Sequence, residues 1–225
     1  MVNSTFVLVG ASSEIAIEFA KICQNNNHIV LLISKNRLNQ FKNFNYLQVT
    51  DYLNDYESIK KQISSLKNAT IIFFNGALYE NRPLQTPSFE EINLTSYINF
   101  EIPYSLCKKL HNELNNINKF VFLSSMAAVK LRYKNYIYGQ KKRDLENEIQ
   151  KLNLHSYLII RFGKVHTKMS EGHKTPPFSL EPSKAAEIIY KKINKNHLIY
   201  ANFGLKIISI LIKLTPVKLL NKFGF

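Results

Sequence analysis

Residues 7–21 read "VLVGASSEIAIEFAK", and their reading decides how the rest of the chain is parsed. An apolar run over 5–10 ends at Gly10, a short polar turn follows, and the apolar spacing then becomes helical over 14–25. A strand entering a helix this way would aim backbone N–H groups and the helix N-terminus at a pyrophosphate. Ser12 and Ser13 add hydroxyls that cap a helix or bond phosphate. The turn holds one glycine, with Glu14 and Ala16 where further glycines would give the backbone room. Alone, "GASSEIA" fits an ordinary strand–helix turn as well as a phosphate loop.

Outward from this stretch the pattern repeats. Strands are expected at 5–10, 28–34, 45–50, 70–75, 119–125, 156–162 and 197–201. Several are continuous Val/Ile/Leu/Phe runs, as in parallel strands buried on both faces. Helices are expected at 14–25, 55–66, 89–115, 136–152 and 182–194. Strand–helix alternation predicts an α/β, Rossmann-like, doubly wound parallel sheet of about seven strands. With 225 residues, 45% of them hydrophobic, the simplest organisation is one domain over 1–201. Cys23 and Cys107 form no CxxC pair, which fits a reducing compartment without a disulfide framework or zinc site. The N-terminus shows no basic region leading into a long apolar run, so no secretory signal is expected.

Residues 202–225, "NFGLKIISILIKLTPVKLLNKFGF", break the pattern as an apolar tail with spaced lysines. Lys206, Ser209 and Lys213 predict a narrow polar stripe, and Lys218 and Lys222 resume it beyond Pro216. The apolar part is shorter than the roughly 20 residues a membrane span needs. Either a basic amphipathic helix in a membrane interface or a tail packed on the core or a dimer partner fits it.

The net charge of +14 points to an anionic partner, although codon bias toward Asn, Lys and Ile also supplies lysine. No motif interleaves basic residues with exposed aromatics, so nucleic acid is not the expected partner.

Three further stretches carry chemistry. "FFNGA" puts Asn75, Gly76 and Ala77 at the end of the fourth strand, where open parallel sheets bind ligands. "FLSSMAAV" ends the fifth strand at Ser125, and in "YIYGQKK" Tyr138 and Lys142 are four apart, on one helix face. A phenol ionises near 10, and a neighbouring ammonium is expected to bring it toward the working range of an acid–base catalyst. "IIRFGKVHTKM" follows the sixth strand and offers Thr167 to a ligand.

Together these stretches make residues 5–200 resemble the short-chain dehydrogenase/reductase family in its compact single-domain form. "GASSEIA" resembles its T-G-x-x-x-G-x-G loop, "NGA" its N-A-G turn, "YGQKK" its Y-x-x-x-K and "RFGKVHT" its R-P-G-x-V-x-T. Ser125 precedes Tyr138 by thirteen residues, the family's usual spacing, and "INLTS" resembles its N-x-T segment. Val9, Glu14, Ala16 and Phe162 depart from the family's Thr, Gly, Gly and Pro.

The resemblance implies an NAD(P)-dependent oxidoreductase that reduces a ketone to an alcohol. Tyr138 would be the general acid, Lys142 would tune it and hold the nicotinamide ribose, Ser125 would orient the carbonyl, and Asn93 would order a relay water. Gly10, Ser12, Ser13, Ile15, Ser34, Lys35, Asp51, Asn75, Gly76, Ala77, Val165 and Thr167 would bind the cofactor. Ser125, Met126, Arg132, Phe162 and Gly163 would face the substrate. Ser34 stands where an NAD enzyme of this fold keeps an acid and Lys35 follows it, so NADP(H) is favoured.

The segments expected to wall the substrate carry Lys130, Arg132, Lys134, Lys164, Lys168, Lys174, His166 and His173 against one carboxylate, Glu171. That excess suggests a phosphate-bearing substrate. The two histidines lack an acid cluster, so no metal is expected. The C-terminal part is similar to the reductase subunit of decaprenylphosphoryl-ribose 2′-epimerase and to relatives associated with surface polysaccharides. This similarity implies a bacterial keto-sugar reductase acting on a phosphorylated or lipid-linked sugar. It would be cytoplasmic, as a homodimer or homotetramer, with peripheral contact at the inner face of an anionic membrane. A reductase of a soluble sugar phosphate or acyl thioester with a dimerising tail, and a non-catalytic NADP-binding regulator, are the alternatives.

Overall fold

The structure is a computed structural model and describes residues 4–37, 40–41, 43–79, 87–172 and 175–222. Seven strands form one sheet: β1 (Thr5–Val9), β2 (Ile29–Ser34), β3 (Asn45–Gln48), β4 (Ala69–Phe73), β5 (Ile117–Ser125), β6 (Tyr157–Phe162) and β7 (His197–Tyr200). All neighbours are parallel, in the order β3-β2-β1-β4-β5-β6-β7. Both faces of the central strands β1, β2 and β4 are covered, which is why they read as unbroken apolar runs.

Alternate side chains divide between two cores. Phe6, Leu8 and Leu32 pack with α1 (Glu14–Asn25), α6 (Pro182–Lys192) and α7 (Phe203–Leu214). Val7, Val9 and Ile71 pack with α2 (Tyr56–Ser64), α4 (Ile102–Glu113) and α5 (Tyr136–Lys151). Phe19 of α1 is fully buried and meets the Phe6 ring edge-on at 5.4 Å. Its truncation to Ala would cost about 3–5 kcal/mol. Cys23 and Cys107 are buried free thiols, one in each core.

The expected single helix over 89–115 is three pieces. Its N-terminus is a capping box. Ser88 Oγ accepts from the Glu91 amide at 3.1 Å, and the Ser88 amide donates to Glu91 Oε2 at 2.9 Å. α3 (Phe89–Ser96) then passes through a π-helical turn, Tyr97–Glu101, before α4. Pro103 lacks the amide that would bond the Asn99 carbonyl in an unbroken α-helix, so the ladder changes register there.

Of the polar stripe expected along 202–225, Lys206, Lys213 and Lys218 are exposed while Ser209 is turned inward. Ser209 is 2% exposed and its hydroxyl donates to the Lys206 carbonyl at 2.7 Å. The buried side of α7 is Leu205, Ser209 and Ile212, and Leu220 of α8 (Val217–Lys222) joins the same core. Helix periodicity around Ile and Leu admitted either rotation, and packing on the core selected the one that turns the serine inward. Among the described residues, no helix is long and apolar enough to cross a membrane.

Candidate active site

Ser125 is the last residue of β5 and its Oγ accepts from the Ala127 amide at 3.1 Å. Tyr138, in the first turn of α5, is buried with its hydroxyl bonded to Ser125. Gly139 permits this approach: a Cβ there would stand 2.7 Å from the Ala127 carbonyl oxygen. Lys142 lies one turn further, its Nζ 5.8 Å from the Tyr138 ring centroid. It donates to the Leu123 carbonyl at 3.1 Å and reaches the Asn75 carbonyl at 3.5 Å. The two halves of the proposed site are thus linked through a single ammonium.

The expected lowering of the phenol is not what the geometry produces. Burial pushes the Tyr138 hydroxyl up to about 12, with the Ser125 hydrogen bond pulling the other way. Lys142 is itself moved down to about 8 by burial, while the charge of Glu146 raises it. In a site this dry, removal of water from the charged form dominates both groups. The phenol is held protonated.

Behind Lys142 lies a buried polar cluster that sequence reading did not single out. Glu146 is 2% exposed. It accepts from Ser124 Oγ at 2.6 Å and from Arg161 Nε at 2.8 Å, while Arg161 Nη1 donates to the Tyr200 hydroxyl at 2.9 Å. Glu146 is four residues after Lys142 on α5, a spacing that could have flagged it.

Asn93 does not join this group. It is exposed on α3 and lines a shallow surface groove with Phe89, Glu90, Leu94, Tyr97 and Glu101. Asn99, in the π turn, is fully buried instead. Its Nδ2 donates to the carbonyls of Ala77 at 2.7 Å and Thr95 at 2.9 Å, and its Oδ1 accepts from the Ala77 amide at 3.4 Å. Asn99 therefore clamps the "NGA" turn from behind. The asparagine placed against the "NGA" turn is thus Asn99, whereas Asn93 of the N-x-T segment faces outward.

At the other end, Gly10 has φ +80°, and a Cβ on it would meet the Asn75 amide nitrogen at 2.9 Å. That close approach explains the single glycine that was kept. Ser12 is exposed, while Ser13 and Ile15 are half-buried. Ser13 precedes α1 without bonding its amides. Glu14 accepts from the Lys168 amide at 2.9 Å, so its side chain crosses to the segment after β6. In the same segment, Met169 Sδ lies 3.6 Å from the place of a Gly76 Cβ.

Tyr52 was missed by sequence reading. It is buried, and its hydroxyl interacts with the Asn75 side chain and with the backbone of Gly10 and Lys35. Burial pushes it up to about 12 against those contacts. Asp51 accepts from the Tyr97 hydroxyl at 2.7 Å and from the Leu53 and Asn54 amides at 2.9 and 3.1 Å. Burial works against its ionisation, yet these bonds and Lys35 hold the carboxyl below its usual range.

Ser34, expected at the cofactor, has its hydroxyl turned to its own strand end. It is fully buried, and its hydroxyl donates to the Asn36 carbonyl at 2.7 Å and meets the Tyr46 hydroxyl at 2.9 Å. Its neighbour Lys35 is the exposed residue, with Nζ 3.9 Å from Asp51 Oδ2.

On the substrate side, Met126 and Phe162 are buried in the first core cluster rather than open to a ligand. Phe162 continues the inward alternation of β6 beside Ser125 in the ladder. Gly163 packs beneath Leu205, whose Cδ2 is 3.3 Å from the place of a Gly163 Cβ. Val165 bridges Leu180, and half-buried Thr167 lies beside Ser170, whose hydroxyl meets the Thr167 amide at 3.2 Å. Arg132 is 8% exposed. Its Nε is buried with no hydrogen-bond partner, and burial lowers its pKa. His173, Lys174 and the side chain of Lys134 lie outside what the structure describes. Among the described residues, no group of three His, Cys, Asp or Glu side chains is placed to hold a metal.

A dinucleotide suits this donor set. Asn75 Oδ1 is a buried acceptor with no partner, and the α1 N-terminus lacks a side-chain cap. Gly10 and the Asn75–Ala77 turn line the carboxyl ends of neighbouring strands β1 and β4.

No family model matches the chain. An uncharacterised protein of Mycoplasma genitalium is 24% identical over 199 residues, 83% of this chain. The match spans only 22% of that protein's length. A short-chain dehydrogenase from Burkholderia cenocepacia in complex with NADP superposes with TM-score 0.76 at 12% identity, covering 95% of this chain and 98% of that one. A short-chain dehydrogenase family protein from Francisella tularensis gives 0.74 at 17% identity, covering 92% and 100%. A short-chain dehydrogenase from Sphingobium yanoikuyae in complex with NADPH gives 0.74 at 15%, covering 93% and 92%. The chain has the fold of the short-chain dehydrogenases.

Proposed function

We propose that this protein is an NADP(H)-dependent reductase of a ketone. The observation that carries the reading is the buried Tyr138 hydroxyl on Ser125, with Lys142 one turn away and tied back to Asn75. The nicotinamide, when bound, supplies hydride to the carbonyl carbon. Ser125 orients the carbonyl oxygen, and Tyr138, kept protonated by burial, delivers its proton there. Lys142 stabilises the phenolate left behind. Gly10, Ser12, Ser13 and Ile15 would hold the pyrophosphate, with Asn75, Gly76, Ala77, Val165 and Thr167 along the ribose and nicotinamide. Asp51 and Tyr52 would lie near the adenosine, and exposed Lys35 would meet a 2′-phosphate. Two proteins of the same fold hold NADP or NADPH, which supports this choice.

For the substrate, the reading is a keto-sugar carrying a phosphate or polyprenyl phosphate, used in bacterial surface-polysaccharide synthesis at the cytoplasmic side. Unpaired, buried Arg132 supports an anionic group on it. The test is NADPH oxidation with candidate keto-sugar phosphates. Tyr138→Phe should lower turnover by about 10²–10⁴-fold, and equal turnover in the two proteins would remove the mechanism. Arg132→Ala should raise KM for phosphorylated carbonyls and leave unphosphorylated ones unchanged. Indifference to the phosphate would remove the substrate class alone.

A further inference from the structure

We infer that the outer face of α7 and α8 docks on an anionic lipid bilayer. This goes beyond the proposed reaction and does not rest on it.

The rotation of α7 that buries Leu205, Ser209 and Ile212 turns five large apolar side chains outward. Phe203, Ile207, Ile210, Leu211 and Leu214 are 46–77% exposed and share one helix face. Val217 and Leu219 of α8 are exposed as well. Single exposed apolar residues are ordinary, but a contiguous row of this kind marks a contact surface. The row is not loosely attached. Lys130 Nζ donates to the carbonyls of Lys213 at 2.9 Å and Thr215 at 2.6 Å, closing the end of α7. The Tyr133 amide donates to Asn221 Oδ1 at 3.1 Å. At the start of α7, Gly204 leaves room for the Phe178 ring, which would lie 2.3 Å from a Cβ there. The two segments that flank Ser125 and Thr167 therefore fasten the tail at both ends.

Charge selects the occupant. Residues 202–225 contain four lysines and no Asp or Glu, and Lys206, Lys213 and Lys218 are exposed. In a two-fold dimer through this face the same patch meets itself, bringing two lysine-bearing tails together with no Asp or Glu within 202–225 to compensate. An anionic bilayer offers an apolar phase for the row and negative charge for the lysines together. α7 is about 18 Å long at about 1.5 Å per residue, against a hydrocarbon core of about 30 Å. It can lie in the interface and cannot span it.

The test is flotation of the full chain with vesicles of phosphatidylcholine, with and without phosphatidylglycerol. Binding should require phosphatidylglycerol and weaken with salt. Ile210→Ser/Leu214→Ser changes two side chains that are 52% and 77% exposed, so thermal melting should be unchanged. Partitioning should nevertheless fall by about ten-fold or more. Lys206→Glu/Lys213→Glu should lose binding to phosphatidylglycerol vesicles while keeping the fold. Absence of vesicle binding by the wild type, or equal binding by the serine variant, overturns the proposal. So does a wild-type dimer that the serine substitutions convert to monomer, since the face would then belong to a second copy.

Discussion

The two ends of the proposed site are built by different rules. Around Ser125, Tyr138 and Lys142 the polar groups are buried, and small residues such as Gly139 set the spacing. Around Gly10 the loop has kept one glycine, and polar links from Glu14 and Tyr52 hold the surroundings. The difference teaches that the proposed chemical end tolerates little displacement. The cofactor end can exchange backbone freedom for side-chain contacts at the surface.

The most damaging change should therefore lie at the chemical end. Lys142→Met should reduce kcat by about 10²-fold or more while leaving NADPH binding measurable by fluorescence. Gly139→Ala comes next. Its methyl would press on the Ala127 carbonyl and move Tyr138 off Ser125, with overpacking of about 1–3 kcal/mol. Both thermal stability and kcat should fall, and unchanged kcat would show that the spacing is not critical.

Glu146→Gln sharpens the comparison through pH. Lys142, depressed to about 8, carries its charge below that value and loses it as pH rises. Activity that needs the cation should decline through about pH 8. Removing the Glu146 charge, which holds that pKa up, should shift the decline to lower pH. Arg161 would then be buried without its acid, at a cost of about 3–5 kcal/mol. A pH profile that does not move would restrict Glu146 to stability.

At the cofactor end the expected effects are smaller. Lys35→Ala should lower the preference for NADPH over NADH by about ten-fold or less, mainly through KM, because the group is exposed. Glu14→Gly should change KM for NADPH by only a few-fold and leave kcat alone, since the carboxylate reaches Lys168 rather than the α1 amides. A large loss of kcat in Glu14→Gly would erase the contrast between the two ends.

What sequence made legible follows the same division. The central strands were readable because burial on both faces leaves continuous apolar runs, as in "IVLLIS" and "ATIIF". Ser125, Tyr138 and Lys142 were readable because two of them are neighbours on a single helix. Asn99, Tyr52 and the inward turn of Ser209 were not, since each depends on a partner distant in sequence. Asn99 is recognisable only once Ala77 is beside it, and Tyr52 only beside Gly10 and Asn75. Gly139 stood within the quoted motif, but its use is apparent only from the carbonyl it faces.

The strand order has a consequence for how the chain reaches this state. Thr5 of β1 pairs with both Ile29 and Ala69, so the central strand must wait for β4 before its second edge closes. Among the described residues no strand pair is a hairpin, and every pairing spans a crossover. Assembly of this kind is slow, because loop closure precedes the contacts that reward it. During synthesis an N-terminal fragment ending before β4 would present β1 with an unpaired apolar edge. Nascent chains stalled short of residue 69 should therefore be the ones most dependent on chaperones.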